Sequence, residues 1–273
     1  MQDAHLHLQD SRFQDTGALV VEMSDHGISH CVVNGTSPDD WGRVAELSHC
    51  SDLKIIPSFG LHPWQVEQVY AESECEWKTQ LSELLRTTPS ACIGECGLDR
   101  WIKNPNRELQ EDAFLFQLSL ARELNLPLSI HILKAWGWFI EILRREEFPR
   151  VGFLLHSYNG SKELIPELVE RGAYFSFSGY YLHERKAKTL DVFRHIPLDR
   201  LLVETDAPDM LPPEHIVTHP LTDKDGKQIN HPANLPSIAK HLASALGIQD
   251  QLLNEQLHEN FERFFLNRDA VKD

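Results

Sequence analysis

The stretch MQDAHLHL at residues 1–8 is a short, mainly apolar run that carries two histidines, His5 and His7. Residues two apart on a β-strand point to the same side, so both imidazoles can face one side of a sheet. A dinucleotide-binding fold would place a glycine-rich phosphate loop directly after its first strand. The histidine pair occupies that position instead, which disfavours an open, doubly wound sheet.

Seven further apolar runs follow, each with a turn and a longer amphipathic stretch behind it. We predict strands over residues 1–7, 30–34, 54–59, 91–95, 127–131, 152–156, 173–178 and 200–204. The clearest helix is predicted over residues 107–124, and another over residues 161–171, with Ser161 at its start and Gly172 as the C-cap residue after its end. Eight strand–helix units in 273 residues predict an α/β fold, a TIM (β/α)8 barrel, as one domain over residues 1–273.

Histidines and carboxylates stand at or near the ends of most of the predicted strands. In a TIM barrel these ends meet at the C-terminal mouth, where active sites lie. Imidazole and carboxylate together suit Zn, Mn, Fe or Ni, and Mg where carboxylates dominate. Burying so many ionisable groups without a cation would be costly. The predicted metal ligands are His5, His7, Glu95, His131, His156 and Asp206.

Other histidines are interpreted as structural, because they fall in predicted helices or at helix ends: His26, His49, His183, His195, His241 and His258. The proline-rich stretch 208–236 is long enough for a lid or substrate wall. Its histidines His215, His219 and His231 need not be ligands.

Composition narrows the class of protein. A formal charge of −15 argues against an extended basic surface for duplex DNA, although bound cations would make the cleft itself positive. Five scattered cysteines without a C-x-x-C pair indicate reduced thiols. The sequence has neither a secretory signal nor an apolar run of membrane-spanning length, so we predict a cytoplasmic protein without membrane association.

Six segments spread along the chain match one known family in their order: DAHLH (3–7), GLHP (60–63), GECGLD (94–99), PLSIH (127–131), HSY (156–158) and ETDAP (204–208). With them the chain resembles the TatD family, metal-dependent deoxyribonucleases of the amidohydrolase superfamily. Residues 260–265 are similar to the family's C-terminal helix.

The resemblance implies two divalent metal ions (Zn, Mg or Mn), with Glu95 bridging. His5, His7 and Asp206 would complete the site of one ion, and His131 and His156 the site of the other. It also implies hydrolysis of DNA, partly as a 3′–5′ exonuclease on single-stranded ends, in support of DNA repair.

With two cations held as the resemblance implies, we assign three catalytic candidates. Glu95 is the bridging ligand, and Asp206 is both a ligand and the candidate general base, because it would touch the attacking water. His62 is placed to contact a phosphate oxygen, although a structural role in its Gly-x-His-Pro turn is also open. Glu204 is either an orienter of a histidine or an outward-facing carboxylate.

Two departures from the family pattern concern the substrate. Where the family commonly has His-x-Arg, this chain has Leu133 followed by Lys134, and Arg100 replaces a frequent aromatic residue. We therefore predict His62, Arg100 and Lys134 as substrate-binding residues, with Lys103 and Arg107 as further cations along the backbone. Aromatic residues in loops after strands either stack unpaired bases or pack the barrel top; they are Trp64, Trp101, Tyr180 and Tyr181.

Two alternative functions stay open. The missing arginine and the acidic charge favour a small-molecule amidohydrolase or phosphoesterase on the same barrel. Glu95, rather than a carboxylated lysine, on the fourth strand favours the nuclease group. A non-catalytic metal-binding protein would need coordination with no open position for water. The expected partner is single-stranded nucleic acid, and no obligate protein partner is evident.

Overall fold

The structure is a computed structural model that describes residues 1–50 and 52–267. Eight parallel strands form one sheet in the order of the sequence, from β1 to β8. They are β1 Gln2–Leu6, β2 His30–Asn34, β3 Lys54–Phe59, β4 Cys92–Asp99, β5 Leu128–Leu133, β6 Phe153–Leu155, β7 Ala173–Ser178 and β8 Leu201–Glu204. The sheet closes because the Asp206 amide donates to the His5 carbonyl at 3.0 Å and the His7 amide to the Ala207 carbonyl at 2.8 Å. The predicted TIM barrel is confirmed.

Helices follow the strands around the barrel. They are α1 Thr16–Asp25, α2 Pro38–Leu47, α3 Val66–Thr87, α4 Arg107–Leu124, α5 Trp136–Arg145, α6 Ile165–Glu170, α7 Ala187–Phe193, α8 Leu235–Leu246 and α9 Asp250–Phe261. Helix α4 has the predicted bounds. The Asn106 side chain accepts the Leu109 amide at 3.2 Å at its start, and Asn125, with a left-handed φ of 48°, ends it.

The predicted helix over residues 161–171 is wrong in detail. A 3-10 turn, Lys162–Leu164, precedes the short helix α6, and Ser161 makes no side-chain capping bond. Strand β4 runs four residues beyond its predicted end, to Asp99, and β5 runs two residues further, to Leu133. Strand β6 ends one residue early because Ser157 adopts a φ of 43° and turns the chain.

The interior of the barrel is layered by the two-residue period of the strands. Four strands place an apolar residue low in the barrel and a polar residue two positions later: Val32 and Asn34, Ile56 and Ser58, Leu154 and His156, and Leu202 and Glu204. Phe261, Phe264 and Phe265 at the end of the described chain pack into the apolar layer. An apolar plug therefore lies beneath a polar layer at the mouth.

The stretch 208–236 contains a hairpin of β9 Leu221–Thr222 and β10 Gln228–Ile229. Asn230 returns it to the barrel, donating its amide to the Pro208 carbonyl at 2.9 Å and its side chain to the Thr205 carbonyl at 2.8 Å. Two of its histidines, His219 and His231, contact side chains of α1 and its end rather than the barrel mouth. The proposed lid function stays a prediction.

Cys31, Cys50, Cys75 and Cys96 form no disulfide in the described part of the chain, and the reduced state of the cysteines stays a prediction. Among the helices within residues 1–50 and 52–267, none has both the length and the apolar character of a bilayer span.

Candidate metal centre

The Glu95 carboxylate lies at the centre of the barrel mouth, buried, with imidazoles around both of its oxygens. Oε1 lies 2.8 Å from His156 Nε2, 3.0 Å from His131 Nδ1 and 3.2 Å from His62 Nε2. Oε2 lies 3.3 Å from the Nε2 atoms of both His5 and His7. The two oxygens therefore face two separate groups of nitrogen donors.

Asp206 belongs to the Oε2 group. Its Oδ1 lies 3.5 Å from His7 Nε2 and 3.8 Å from His5 Nε2. Asp206 holds this position with a left-handed backbone φ of 54° and an amide bonded to the His5 carbonyl. All six predicted ligands thus converge, and three of them, His5, His7 and Asp206, have ligand atoms close enough to share one cation.

The second ring nitrogen of three of these imidazoles is anchored by the surrounding protein. His5 Nδ1 lies 2.9 Å from Ser129 Oγ, and His7 Nδ1 lies 2.8 Å from the Asn34 carbonyl. His131 Nε2 lies 3.1 Å from Asp99 Oδ2. Such outer partners fix the ring orientation and leave the other nitrogen directed at the centre, as metal-binding histidines require.

His62 differs from His7 and His131, whose outer nitrogens face a carbonyl and a carboxylate. Its Nδ1 accepts the Trp64 amide at 3.1 Å, so in the neutral ring the proton is on Nε2, which faces Glu95. Burial lowers the pKa of His62, which keeps the ring neutral. His62 therefore presents an N–H donor to the centre.

The electrostatics of the cluster are dominated by Glu95. Burial alone would raise its pKa, but the surrounding imidazoles, His156 first, hold the pKa of Glu95 well below its usual range. Burial would lower the pKa of His156 and His7, yet their carboxylate partners raise the pKa of both rings well above the ordinary value. The carboxylates therefore attract positive charge into the centre.

The donor set fits divalent cations. Every ion pair of Glu95 among the described residues is with a histidine, and none is with a lysine or arginine. The buried His156 Nδ1 has no hydrogen-bond partner in the described part of the chain, and lies 3.6 Å from Glu204 Oε1. Buried carboxylates without fixed cationic side chains, surrounded by orientated imidazoles, are what a bound cation would stabilise.

Three carboxylates around the centre received no firm role from sequence. Glu204 points inward, not toward the outer helices, and accepts the Ser157 amide at 2.8 Å and the Ser176 hydroxyl. Asp3 accepts the His5 amide, and burial raises the pKa of Asp3 to about 8. Asp99 lies four residues after Glu95 on β4, and the two-residue strand period would have placed both on one side had the strand's full length been predicted.

Close packing around Glu95 requires glycine at two positions. A Cβ at Gly60 would lie 2.7 Å from the Glu95 carbonyl oxygen, too close for any side chain. At Gly97, with a φ of 145°, a Cβ would overlap the His131 carbonyl. Glycine at these positions allows β3, β4 and β5 to approach closely enough for their side chains to share one centre.

The predicted substrate-binding residues divide between the centre and its rim. His62 belongs to the centre, whereas Arg100 and Lys134 are exposed and lie one residue beyond the ends of β4 and β5. The Arg100 amide donates to the Leu133 carbonyl at 2.9 Å, which makes the two chain segments neighbours. Lys134 Nζ lies 4.4 Å from the centre of the Trp101 ring.

The four aromatic residues are not equivalent. Trp64 and Trp101 are 62% and 65% exposed. Trp64 is held by its Nε1–H, which donates to Asp99 Oδ2 at 2.6 Å, and Tyr180 is half-buried. Tyr181 is buried and donates to the Ser157 carbonyl, which agrees with the packing alternative for this ring and not with base stacking. Lys103 is exposed, and Arg107 packs over the Trp138 ring instead of the mouth.

Comparison with known proteins gives matches along almost the whole chain. A family model described as TatD related DNase matches residues 2–266. The uncharacterized metal-dependent hydrolase YcfH of Escherichia coli K12 is 28% identical over 267 residues, 96% of this chain and 94% of the relative. The 3′-5′ ssDNA/RNA exonuclease TatD of Pectobacterium atrosepticum is 30% identical over 271 residues, 97% of this chain and 99% of the relative. The crystal structure of YJJV, a TatD homologue from Escherichia coli K12, has a TM-score of 0.85 at 26% identity, with 97% of each chain covered.

Proposed function

Because the chain belongs to the family of TatD related DNases, we propose that it is a metal-dependent hydrolase that cleaves the phosphodiester bonds of single-stranded nucleic acid from the 3′ end. The Pectobacterium relative is named as an exonuclease of single-stranded DNA and RNA, and we extend this activity to the present chain. The observation that supports the proposal best is the position of Glu95, with its two oxygens between two groups of donors.

Two divalent cations are assigned to the centre. Glu95 Oε2, His5, His7 and Asp206 would hold one, and Glu95 Oε1, His131 and His156 the other. Bound there, the cations would lower the pKa of a water molecule and neutralise the charge of the scissile phosphate.

The chain's own groups would perform the proton transfer and the positioning. Asp206 is 8% exposed at the edge of the centre, where its carboxylate can take a proton from the attacking water. His62, with its proton on Nε2, donates a hydrogen bond to a non-bridging phosphate oxygen. Glu204 orients His156 from behind and keeps the ring in place between two carboxylates.

The rim would bind the strand that leads to the centre. Trp64 and Trp101 offer exposed rings on which bases stack, and a stacked base contributes about 1–3 kcal/mol. Arg100 and Lys134 supply positive charge beside these rings in an otherwise acidic protein. We assign the missing His-x-Arg arginine's role to this pair, with Arg100 as a planar guanidinium and Lys134 as a compact ammonium that contact the phosphate backbone.

The test is cleavage of 5′-labelled single-stranded DNA and RNA oligonucleotides with Mg, Mn or Zn, with and without EDTA. The proposal expects a ladder shortened from the 3′ end, abolished by EDTA and weakened by salt. Trp64→Ala and Trp101→Ala should raise KM about tenfold or more, whereas Leu252→Ala, which removes an exposed apolar side chain on α9, should not.

The other outcomes separate the alternatives. Metal-dependent turnover of neutral amides or lactones without oligonucleotide cleavage would assign the site to a small-molecule hydrolase. Tight metal binding without turnover of any of these substrates would indicate a non-catalytic metal-binding protein. Either result would overturn the nuclease proposal.

A further inference from the structure

A second group of histidines lies outside the barrel mouth, between the end of α1 and the stretch after β8. His26 follows the last residue of α1, and its Nε2 lies 3.0 Å from His219 Nε2. The two rings meet edge to face, with 4.2 Å between their centres. His26 is exposed and His219 half-buried, so the paired nitrogens lie near the surface of the protein.

Each of these two rings is anchored through its other nitrogen. His26 Nδ1 donates to the Glu22 carbonyl at 2.8 Å, which leaves a lone pair on Nε2. His219 Nδ1 lies 2.9 Å from Thr218 Oγ1, and the same hydroxyl lies 3.2 Å from Asn234 Oδ1. The Thr218 hydroxyl can accept from His219 while donating to Asn234, so the protein also supports a lone pair on His219 Nε2. Two lone pairs can therefore converge on one point.

Carboxylate charge is present beside the pair. Glu22 is four residues before His26, on the same face of α1, and its carboxylate is 49% exposed. Glu22 Oε2 lies 3.2 Å from Nε2 of the buried His231, which keeps the carboxylate beside the imidazoles. The charge of Glu22 also acts on both His219 and His231.

We propose that His26 and His219 form a peripheral two-imidazole site for a divalent late transition metal such as Ni²⁺, completed by water, with the Glu22 carboxylate as a nearby negative charge. Two ligands about 2.1 Å from an ion and about 90° apart lie about 3.0 Å from each other, the spacing found here. Imidazole is a preferred ligand of Ni and Cu, and an angle near 90° suits their tetragonal or octahedral geometry. The ion replaces the proton shared between the two Nε2 atoms, and that proton moves to His219 Nδ1.

Such an ion would connect two separate parts of the chain. His26 directly follows α1, whereas His219 belongs to the stretch 208–236, which begins two residues after Asp206. Metal binding would therefore fasten this stretch to the outer helix and leave the six groups at the mouth unaffected. The site is distinct from the proposed catalytic centre, with which it shares no residue.

The test is the number of Ni²⁺ equivalents bound in equilibrium dialysis against Ni²⁺ alone, in wild type and in the variants His26→Asn and His219→Asn. The matched control is His49→Asn. His49 is exposed at the end of α2, and its Nδ1 bonds to the carbonyl four residues earlier at 3.0 Å, as His26 does. Within the described residues, however, no second imidazole approaches its Nε2.

We expect each of the two variants to lose one equivalent of Ni²⁺, and His49→Asn and Glu95→Gln to keep that equivalent. A second readout is digestion by trypsin, for which Lys224 and Lys227 lie exposed in the same stretch. Ni²⁺ should slow cleavage there several-fold in wild type and not in His219→Asn. Equal equivalents in wild type and both variants, or the same loss in His49→Asn, would overturn the proposal. So would a loss confined to only one of the two histidines.

Discussion

Replacement of Glu95 by glutamine removes one negative charge from the middle of five imidazoles and changes little in volume. The amide has one oxygen, so its NH₂ group must face either the His156 side or the His7 side of the centre. Two opposite unit charges about 4 Å apart contribute about 4 kcal/mol at an effective dielectric constant of about 20, which is roughly a thousandfold in binding. We expect Glu95→Gln to lose at least one metal equivalent and to bind the other about a thousandfold more weakly.

The matched comparison is Glu204→Gln, which also removes a buried negative charge, but from a carboxylate that lies behind His156 and is not itself a predicted ligand. Glu204 lies 3.6 Å from Nδ1 of His156, and its ion pairs within the described residues include none of the other five predicted ligands. Changes to such outer partners commonly cost about 10–100-fold in metal affinity. Isothermal titration with Zn or Mn, with circular dichroism to verify folding, measures both variants. Unchanged affinity in Glu95→Gln, or equal losses in the two variants, would refute the central position of Glu95.

Three further predictions concern proton transfer, pH and packing. Asp206→Asn should lower kcat for oligonucleotide cleavage by about 10²–10⁴-fold with little change in KM, and equal changes in both would contradict its assignment as base. His231 accepts the Ala233 amide on Nδ1, and burial lowers the pKa of His231 to about 4. The contribution of neutral His231 to the free energy of unfolding is therefore complete above pH 6.5. It is lost as the pH falls toward 4, because the unfolded chain takes up the proton at a higher pH than the folded protein does. In His231→Asn the asparagine side chain can still accept the Ala233 amide, but it does not titrate. The free energy of unfolding should therefore fall less between pH 7 and pH 4.5 than in wild type, by about 1–2 kcal/mol after allowance for solvent screening. The same pH dependence in both proteins, measured by urea denaturation, would contradict this reasoning. Gly97→Ala should lower the free energy of unfolding by about 2–5 kcal/mol. Gly137→Ala is the control and should cause no such loss, because a Cβ at Gly137 meets open space. Similar values for both variants in urea denaturation would show that glycine is not sterically required at position 97.

The barrel could be predicted because its signal is local and repeated. Each strand is a short apolar run, and the ends of parallel strands in a closed barrel meet at one face. The convergence of His5, His131 and Asp206 therefore followed from strand assignment alone, without any knowledge of contacts. Four of the predicted strand ends at the mouth were displaced by one to four residues, and the residues at the mouth were still predicted correctly because each ligand lies near the end of its strand.

The outer partners of the site were harder to predict. Asp99 was missed because β4 continues past Glu95 through a glycine-rich segment that lowers the strand signal. The inward direction of Glu204 depends on its hydrogen bonds to Ser157 and Ser176, which come from two other segments. Neither local pattern nor spacing carries such information, since it arises only when distant segments pack together.

The pairing of His26 with His219 was missed for the same reason. A histidine at a helix end is most often structural, and the sequence gives no sign that a loop about 190 residues later returns to it. Only the path of the stretch 208–236 against α1 brings the two imidazoles together.

Cations bound at the barrel mouth can be located by anomalous scattering from crystals grown with Zn or Mn, from protein purified without chelators. We expect two peaks at the barrel mouth, one among His5, His7 and Asp206 and one between His131 and His156, with Glu95 contacting both. A mouth without metal peaks, with these side chains pointing away from one another, would contradict this expectation.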